Sequence, residues 1–175
     1  MVRPSEDLTA VLADLRRRLE RAEAVLGIQD LKARYGALVD ERFARGSVID
    51  PGALAQVARR IAELFTDDAV WDGGPGLGAV SGRDAIARRL SEPTLVFSRH
   101  FFVNPRIEVD ATGDRACGRW DLLSPCRRGD GSSWWMCGHE DDEYTCVDGS
   151  WLHRSMRLTT VFMEPVGAGW ERILA

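Results

Sequence analysis

The sequence predicts an α+β fold in which helices come first along the chain and a curved antiparallel sheet follows. Two observations lead to this prediction. Apolar residues recur at helical spacing through the first third, and from Ser98 onward the period falls to two. Turn signals rich in glycine and aspartate separate the later segments at intervals that suit a meander of long strands. This order favours a cone-shaped sheet that the N-terminal helices close on one side, leaving a cavity at its open end.

Three helices are predicted in the first third of the chain. The first covers residues 5–26, ends at Gly27, and is interpreted as an addition to the fold that packs in an oligomer. The second runs from Ile28 to Gly46. The third begins at Asp50-Pro51, a capping residue followed by a proline at the first helical position. A short fourth helix is predicted over 82–90.

Strands follow the helices. A short strand is expected over 69–71, and the glycine-rich loop 73–78 lacks the lysine and the serine or threonine of a phosphate-binding loop, so it is interpreted as a turn or pocket rim. The main strands are predicted at 98–110, 115–126, 133–147 and 151–163. The whole chain, 1–175, is interpreted as one domain, with the extra helix within 1–27 and a tail over 164–175.

Composition argues against several function classes. Net charge is −4 and acids alternate with bases, so no basic stripe suggests nucleic-acid binding. No apolar run is long enough to span a bilayer, and the polar, acidic N-terminus does not resemble a secretory signal. We therefore expect a cytoplasmic protein without nucleic-acid or membrane partners.

Four cysteines stand at regular intervals, at positions 117, 126, 137 and 146, without a CxxC pair. This spacing suits one cysteine on each strand of a meander. We expect free, buried thiols in a reducing cytoplasm, because a zinc site needs closer pairs or partner histidines. No metal site is predicted.

The residue of greatest chemical interest is His100, which lies among aromatic residues and shares a strand face with Phe102. It is either an ordinary core residue or a base in an apolar pocket. Asp40, on a helix expected to pack on the sheet, favours the second possibility because a buried carboxylate is costly unless it is paired. Tyr35 lies roughly 140° from Asp40 around an ideal helix. Both therefore reach one cavity only if the helix crosses its mouth or bends at Gly36.

Two further features receive less weight. The run from His139 to Glu143 imitates a metal cluster, but consecutive acids are more typical of an exposed edge that discourages aggregation. His153, next to Arg154, is interpreted as a surface or interface residue.

Several short motifs, taken in their order and spacing, resemble the SnoaL-like branch of the NTF2-like superfamily. The resemblance covers roughly residues 28–163, and the members that the sequence resembles include scytalone dehydratase, bile acid 7-alpha-dehydratase and hexachlorocyclohexane dehydrochlorinase. It implies a cystatin-like cone or barrel with a mixed sheet, often a trimer, that uses an Asp–His pair without metal or organic cofactor. The motifs are Ile28-Gln29-Asp30-Leu31 with Tyr35 and Asp40, residues 64–71, Gly82-Arg83-Asp84-Ala85-Ile86, and the hairpin of residues 142–151.

The resemblance also implies site residues. Asp40 and His100 occupy the positions of the family's aspartate and base, and Tyr35 matches the tyrosine of the dehydratases. Asp121 falls where some relatives carry another polar pocket residue. Met156 replaces the pocket arginine of the dehydrochlorinase.

Two nearby arginines are candidates for that missing role. Arg154, two residues before Met156, is expected to share its face of the strand and to serve instead. Arg157 needs a shift of one residue to do so.

The resemblance predicts a lyase that performs β-elimination. His100 removes a proton, Asp40 fixes the ring, and Tyr35 stabilises the departing or enolate oxygen. The cavity is expected to hold a small hydrophobic, cyclic substrate. Its predicted apolar walls are Trp71, Phe102, Trp120 and Met156.

Two alternatives and an expectation about assembly accompany this reading. The protein is alternatively a polyketide cyclase or ketosteroid-isomerase-like enzyme with an acidic base. It is otherwise a non-catalytic ligand-binding module or oxygenase small-subunit-like module, because one fold supports many functions. A homo-oligomer is expected, as a trimer or a dimer.

Overall fold

The computed structural model describes residues 4–167, with side chains from residue 8 onward. It contains three α-helices and nine strands within that range. The helices are α1 (Pro4–Glu41), α2 (Pro51–Ala62) and α3 (Arg83–Leu90). The strands are β1 (Phe43–Ala44), β2 (Ser47–Val48), β3 (Phe65–Asp72), β4 (Ala79–Ser81), β5 (Phe97–Ser98), β6 (Phe101–Val109), β7 (Arg115–Arg127), β8 (Ser133–Val147) and β9 (Ser150–Pro165).

Helix α1 is continuous through Gly27, so the predicted break there is wrong. The glycine serves close packing instead. A Cβ atom at this position would lie 2.8 Å from Cδ1 of Trp151, on the sheet below. Glycine inside a helix costs about 1 kcal/mol relative to alanine, and the approach of helix to sheet explains why it is present.

The chain after α1 also differs from the prediction. The helix ends at Glu41, and β1 and β2 form a two-stranded hairpin whose turn residues, Arg45 and Gly46, both have positive φ. The start of α2 is as predicted. The carboxylate of Asp50 accepts hydrogen bonds from the backbone N–H groups of Gly52 and Ala53 at 3.1 and 3.0 Å.

The main sheet has seven strands in the order β4-β3-β9-β8-β7-β5, and β6 also pairs with β7. All neighbours are antiparallel except β3 and β9, which are parallel, so the sheet is mixed. The predicted cone-like α+β fold is confirmed, although the sheet stays open and does not close into a barrel. Strand β9 extends two residues into the predicted tail, of which 168–175 lie outside the described residues.

The edge formed by β5 and β6 is interrupted at the position of His100. Both strands pair with β7 in one register, but Arg99 and His100 belong to neither. Pro125, which lies opposite Arg99 on β7, has no N–H to donate to the ladder. The interruption leaves the backbone N–H of His100 free to bond outside the sheet.

A second irregularity lies in β9. Glu143 pairs with Ser155 and Tyr144 pairs with His153, so Arg154 is an extra residue in a β-bulge. The bulge shifts the alternation of faces by one residue. His153 and Met156 therefore both point into the core, while Arg154 points outward.

The four thiols are free, but Cys126 is the only buried one, so the expectation of four buried cysteines is wrong. The prediction of one cysteine on each strand is also wrong. Two of them lie on β7 and two on β8. Among the described residues, no helix is both long and apolar enough to cross a membrane.

Candidate active site

The centre of the site is a contact between α1 and the interrupted edge of the sheet. Oδ1 of Asp40 lies 2.8 Å from Nδ1 of His100 and accepts a second hydrogen bond from the backbone N–H of the same residue at 3.0 Å. Nε of Arg99 lies 3.1 Å from Oδ2. One carboxylate thus holds the ring, its backbone and the preceding side chain, which fixes the orientation of the imidazole.

The imidazole is enclosed without being sealed. Its side chain is 14% exposed, against 6% for Asp40, and Phe102 stacks on it with ring centroids 6.0 Å apart. Nε2 lies on the side of Ser98, 3.4 Å from its hydroxyl. In the tautomer in which Nδ1 donates to this carboxylate, Nε2 keeps its lone pair.

His100 and Tyr35 line one cavity of about 90 Å³, but Asp40 does not line it. Asp40 contacts the opposite side of the imidazole. Helix α1 therefore needs no bend at Gly36, because the tyrosine faces the cavity and the aspartate supports the ring from behind.

Tyr35 is placed as a hydrogen-bond donor. Its hydroxyl accepts a hydrogen bond from Nε1 of Trp71 at 3.3 Å, which leaves its own O–H available for another acceptor. Burial, with the nearby carboxylate of Glu140, raises the pKa of the Tyr35 phenol well above its usual range. The phenol therefore stays protonated.

The four predicted wall residues divide into two pairs. Trp71 and Met156 line the cavity. Phe102 and Trp120 do not. Phe102 packs on His100 and on Tyr35, and the buried Trp120 donates from Nε1 to the hydroxyl of Tyr144 at 2.9 Å. They line a separate hollow on the other side of His100, which Asp40 also lines.

The predicted polar substrate contacts lie outside the cavity. Asp121 is on the outer face of β7, where Oδ2 accepts a hydrogen bond from the side-chain amide of Asn104 at 3.0 Å. Arg154 is exposed and pairs with Glu143 at 3.0 Å. The expectation that Arg154 shares the face of Met156 is wrong, because the bulge in β9 breaks the two-residue period.

Arg157 also lies outside the cavity wall, and its Nε is 3.3 Å from the carboxylate of Asp72. Neither of the two arginines near Met156 lines the cavity. The cavity nevertheless contains other cations. Arg42, just after α1, and Arg89, on α3, both line it, and sequence reasoning missed both.

The acidic run on β8 differs from its predicted role as an exposed edge. Glu140 and Asp142 point inward and are buried, while their neighbours point outward. Nζ of Lys32 lies 2.5 Å from Oε2 of Glu140 and 2.7 Å from Oδ2 of Asp142. Two features of the sequence could have indicated this buried cluster: the alternation of faces along a strand, and a lysine on the apolar side of α1.

His153 is fully buried, which contradicts its interpretation as a surface residue. Its ring lies among those of Phe65, Tyr35 and Tyr144, at centroid distances of 5.0, 5.5 and 5.1 Å. Within residues 4–167, no group of three or more potential ligand side chains is arranged to hold a metal ion.

Comparison with known proteins identifies the family to which this chain belongs. A family model for the SnoaL-like domain matches residues 20–157. The structure of hexachlorocyclohexane dehydrochlorinase LinA-type3 from Novosphingobium barchaimii is similar, with a TM-score of 0.70 and 22% identity, over 87% of this chain and 96% of that one. No match was found among proteins of curated function.

Two structures from Novosphingobium aromaticivorans are also similar. A putative scytalone dehydratase has a TM-score of 0.67 and 19% identity over 86% of this chain and 97% of that one. An NTF2-like protein with a cystatin-like fold has a TM-score of 0.66 and 20% identity over 93% and 96%. At these identities the likeness shows the fold alone. Because the family model covers well over half of the chain, the protein belongs to the SnoaL-like domain family.

Proposed function

We propose that this protein is a cofactor-independent lyase that removes a proton and a leaving group from adjacent carbons of a small, hydrophobic, cyclic substrate. The observation that carries the proposal is the 2.8 Å contact of Asp40 with His100 beside a partly apolar cavity. Four free thiols suit a reducing compartment, and we place the enzyme in the cytoplasm.

In the proposed reaction, Nε2 of His100 takes the substrate proton. The electron pair of the broken C–H bond becomes the new double bond, and the leaving group departs with its own bonding pair. Asp40 stabilises the imidazolium that forms, because its carboxylate already accepts the Nδ1 proton. General base assistance of this kind is worth on the order of 10²–10⁴ in rate.

Tyr35 is the proposed partner of the developing negative charge. Its O–H donates to the leaving oxygen or to an adjacent carbonyl oxygen, where charge increases in the transition state. The hydrogen bond from Trp71 orients the phenol before the substrate binds. Because the phenol stays protonated, it acts as a donor throughout the reaction.

The size of the cavity limits the substrate. A cavity of about 150 Å³ is known to bind benzene, so one of about 90 Å³ limits the enclosed part of the substrate to no more than a single small ring. Trp71 and Met156 supply apolar walls for that ring.

The proposal is tested with a panel of single-ring compounds that carry a chloride or a hydroxyl group next to an acidic C–H bond. Product alkenes are followed by absorbance and chloride by ion release. We expect His100→Ala to lower kcat/KM on the order of 10²–10⁴ for any compound that turns over. His139→Ala is the matched control, since His139 lies outside the cavity. A His100→Ala variant whose kcat/KM stays within about tenfold of wild type rules the mechanism out.

One observation supports a second candidate function, that of a proton-transferring isomerase or cyclase with an acidic base. The carboxylate of Glu140 lines the same cavity as His100. Its Oε2 lies 2.5 Å from Nζ of Lys32, so the carboxylate is already in an ion pair. The two candidates predict opposite results, because Glu140→Gln abolishes isomerisation, whereas His100→Ala abolishes elimination.

A further inference from the structure

We propose that the substrate of this cavity carries a carboxylate or a comparable oxyanion, which binds to Arg42 and Arg89. This inference rests on the proposed function, since it assigns the substrate class for the same cavity. It starts from a cation that the fold buries without an anionic partner.

Arg42 lies just beyond α1 and is only 9% exposed. Nε donates to the carbonyl of Val39 at 2.9 Å and Nη1 to the carbonyl of Leu90 at 3.4 Å. These carbonyls belong to the C-terminal ends of α1 and α3, where a positive charge is favoured. They hold the guanidinium in place but do not neutralise it.

The carboxylates that line the cavity are already paired with other cations. Asp72 pairs with Arg157, and Glu140 pairs with Lys32. In the part of the chain that the structure describes, no carboxylate lies within 4.0 Å of a side-chain nitrogen of Arg42 or Arg89. The charge of Asp40 favours the charged form of Arg42 from beyond that distance, but Asp40 is itself paired with His100 and Arg99. Neither guanidinium group in the cavity therefore has an ion-pair partner among the described side chains.

Arg89 adds a second positive charge to the same wall. Its Nε donates to the carbonyl of Leu77 at 3.1 Å, and its guanidinium lies 5.8 Å from the ring centre of Trp71. Burial lowers the pKa of Arg42, and the like charge of Arg89 lowers it further. Burying the charge of Arg42 beside the partly buried charge of Arg89 is costly, and an anion held by charge-assisted hydrogen bonds offsets that cost.

Arg42 and Arg89 also provide the positive charge that was expected from Arg154, which the bulge in β9 turns away from the cavity. Arg154 points outward, and Met156 occupies the position of an arginine in the related dehydrochlorinase. Arg42 and Arg89 reach the cavity from the helical side instead. The anionic group of the substrate is therefore expected against the helices.

The test uses two probes of equal shape, benzoate and benzamide, and measures the dissociation constant of each by calorimetry on the full chain. We expect wild type to prefer benzoate by about tenfold or more. Arg42→Met and Arg89→Met should each reduce this preference, and Arg42→Lys should keep part of it. Arg154→Met, a change of the same kind outside the cavity, should leave it unchanged. Thermal melting monitors folding, and Arg89→Met serves if Arg42→Met unfolds.

Three results would overturn the inference: equal affinity for both probes, no benzoate binding at millimolar concentration, or a benzoate preference that neither arginine variant reduces. The test does not depend on turnover. His100→Ala should retain the benzoate preference even though it is expected to abolish elimination. Failure of the lyase proposal and failure of the anion site therefore give different results.

A different observation carries a second inference. We infer that the first half of α1 associates in parallel with the same segment of another copy of this chain. Residues 8–23 are exposed on every face of the helix, over a length of about 24 Å. Most helical stability in proteins comes from packing of an apolar face, and the apolar face of this segment is exposed.

Leucines dominate one stripe of this projecting segment and are 51–63% exposed. The stripe advances in alternating steps of four and three residues, which is the heptad pattern of a coiled-coil seam. Its members are Leu8, Leu12, Leu15, Leu19, Ala22 and Leu26.

Charge favours the parallel arrangement of two copies. In the register set by the leucines, Arg18 occupies a g position and Glu23 the following e position, which face each other between parallel helices. An antiparallel pair in the same seam brings Arg16 beside Arg16 and Arg18 beside Arg18 of the second copy. Like charges there oppose association.

The test is the mass of the full chain in solution by sedimentation equilibrium. Wild type is expected at a multiple of 19.5 kDa, and the double variant Leu12→Glu/Leu19→Glu at a lower mass. Ala10→Glu/Ala13→Glu, which adds the same charges on the opposite face, should keep the wild-type mass.

The orientation is tested by charge reversal. Arg18→Glu and Glu23→Arg should each weaken association, and their combination should restore it. A wild-type monomer, or an unchanged mass for the double leucine variant, would overturn the seam. A combination that fails to restore association would overturn the parallel orientation.

Discussion

Two histidine–aspartate pairs in the protein face the interior, apart from the more exposed pair of His139 and Asp141, and only one of the two combines hydrogen-bond contact with access to a cavity. Asp40 lies 2.8 Å from the ring of His100, at the wall of a cavity. Asp142 lies 3.9 Å from Nδ1 of His153, and neither ring nitrogen of His153 has a hydrogen-bond partner. Residue types alone therefore do not identify a candidate catalytic pair, and contact and access to a cavity distinguish these two.

The difference between the pairs follows from what else each carboxylate binds. Asp142 accepts from Lys32 at 2.7 Å and from the hydroxyl of Tyr144 at 2.7 Å, so it does not orient the nearby imidazole. Burial, with the charge of Lys32, lowers the pKa of His153 well below its usual range. His153 is therefore a neutral aromatic residue that fills space between rings, whereas Asp40 is committed to His100 and Arg99.

The largest expected effect separates the two pairs by activity. Asp40→Asn should lower kcat/KM on the order of 10²–10⁴, because the amide no longer stabilises the imidazolium. Asp142→Asn should leave turnover essentially unchanged. Steady-state kinetics on any compound that turns over checks this, and equal losses in both variants would contradict the distinction.

The next effect concerns stability. Lys32→Met should lower the free energy of unfolding by about 3–5 kcal/mol, because it leaves the buried carboxylates of Glu140 and Asp142 without their cation. Arg60→Met, which removes an exposed pair with Glu41, should cost about 0–1 kcal/mol. Urea unfolding measures the free energy of unfolding of both variants. A similar small loss in the two would show that Lys32 does not form a buried ion pair with Glu140 and Asp142.

A smaller effect is expected at His153. His153→Phe should raise the free energy of unfolding by about 1 kcal/mol, since it removes two buried nitrogens that have no partner and keeps an aromatic ring against Phe65. His139→Phe, at a partly exposed site, provides the control. A marked loss of stability or of activity in His153→Phe would mean that its nitrogens do form important contacts.

The smallest expected effect is a pH dependence of stability that arises from the buried cluster of Lys32, Glu140 and Asp142. Burial raises the pKa of Asp142 from its ordinary 3.8 to about 6. A carboxyl group with a raised pKa in the folded state stabilises the fold when protonated, and this contribution is lost as pH rises through about 6. Asp142→Asn lacks that loss, so its stability relative to wild type should increase with pH across this window. Unfolding free energies at several pH values check it, and a flat or opposite difference would contradict it.

How far the sequence predicts this protein depends on the regularity of the backbone. The strands were close to their predicted bounds because alternation and turn residues are local signals. Arg154 and His153 were placed on the wrong sides, because the bulge in β9 reverses the faces and nothing local marks it. Gly27 was taken for a break because its contact, Trp151, lies far along the chain.

The site follows the same rule. Asp40, His100 and Tyr35 were identified by their resemblance to family positions, and the structure brings the first two into contact. Arg42 and Arg89 were missed, because their presence in the cavity depends on where two helices end relative to each other. Tertiary placement of this kind has no signal within either segment.

The most direct test of the central account is ¹⁵N NMR of the three histidine side chains near neutral pH, assigned with single-histidine variants. We predict that neutral His100 carries its proton on Nδ1 in a strong hydrogen bond that Asp40→Asn removes, and that Nε2 is unprotonated. His153 should show no change with Asp40→Asn. A proton on Nε2 of His100, or a spectrum that Asp40→Asn leaves unaltered, would contradict the claim that Asp40 prepares this ring as a base.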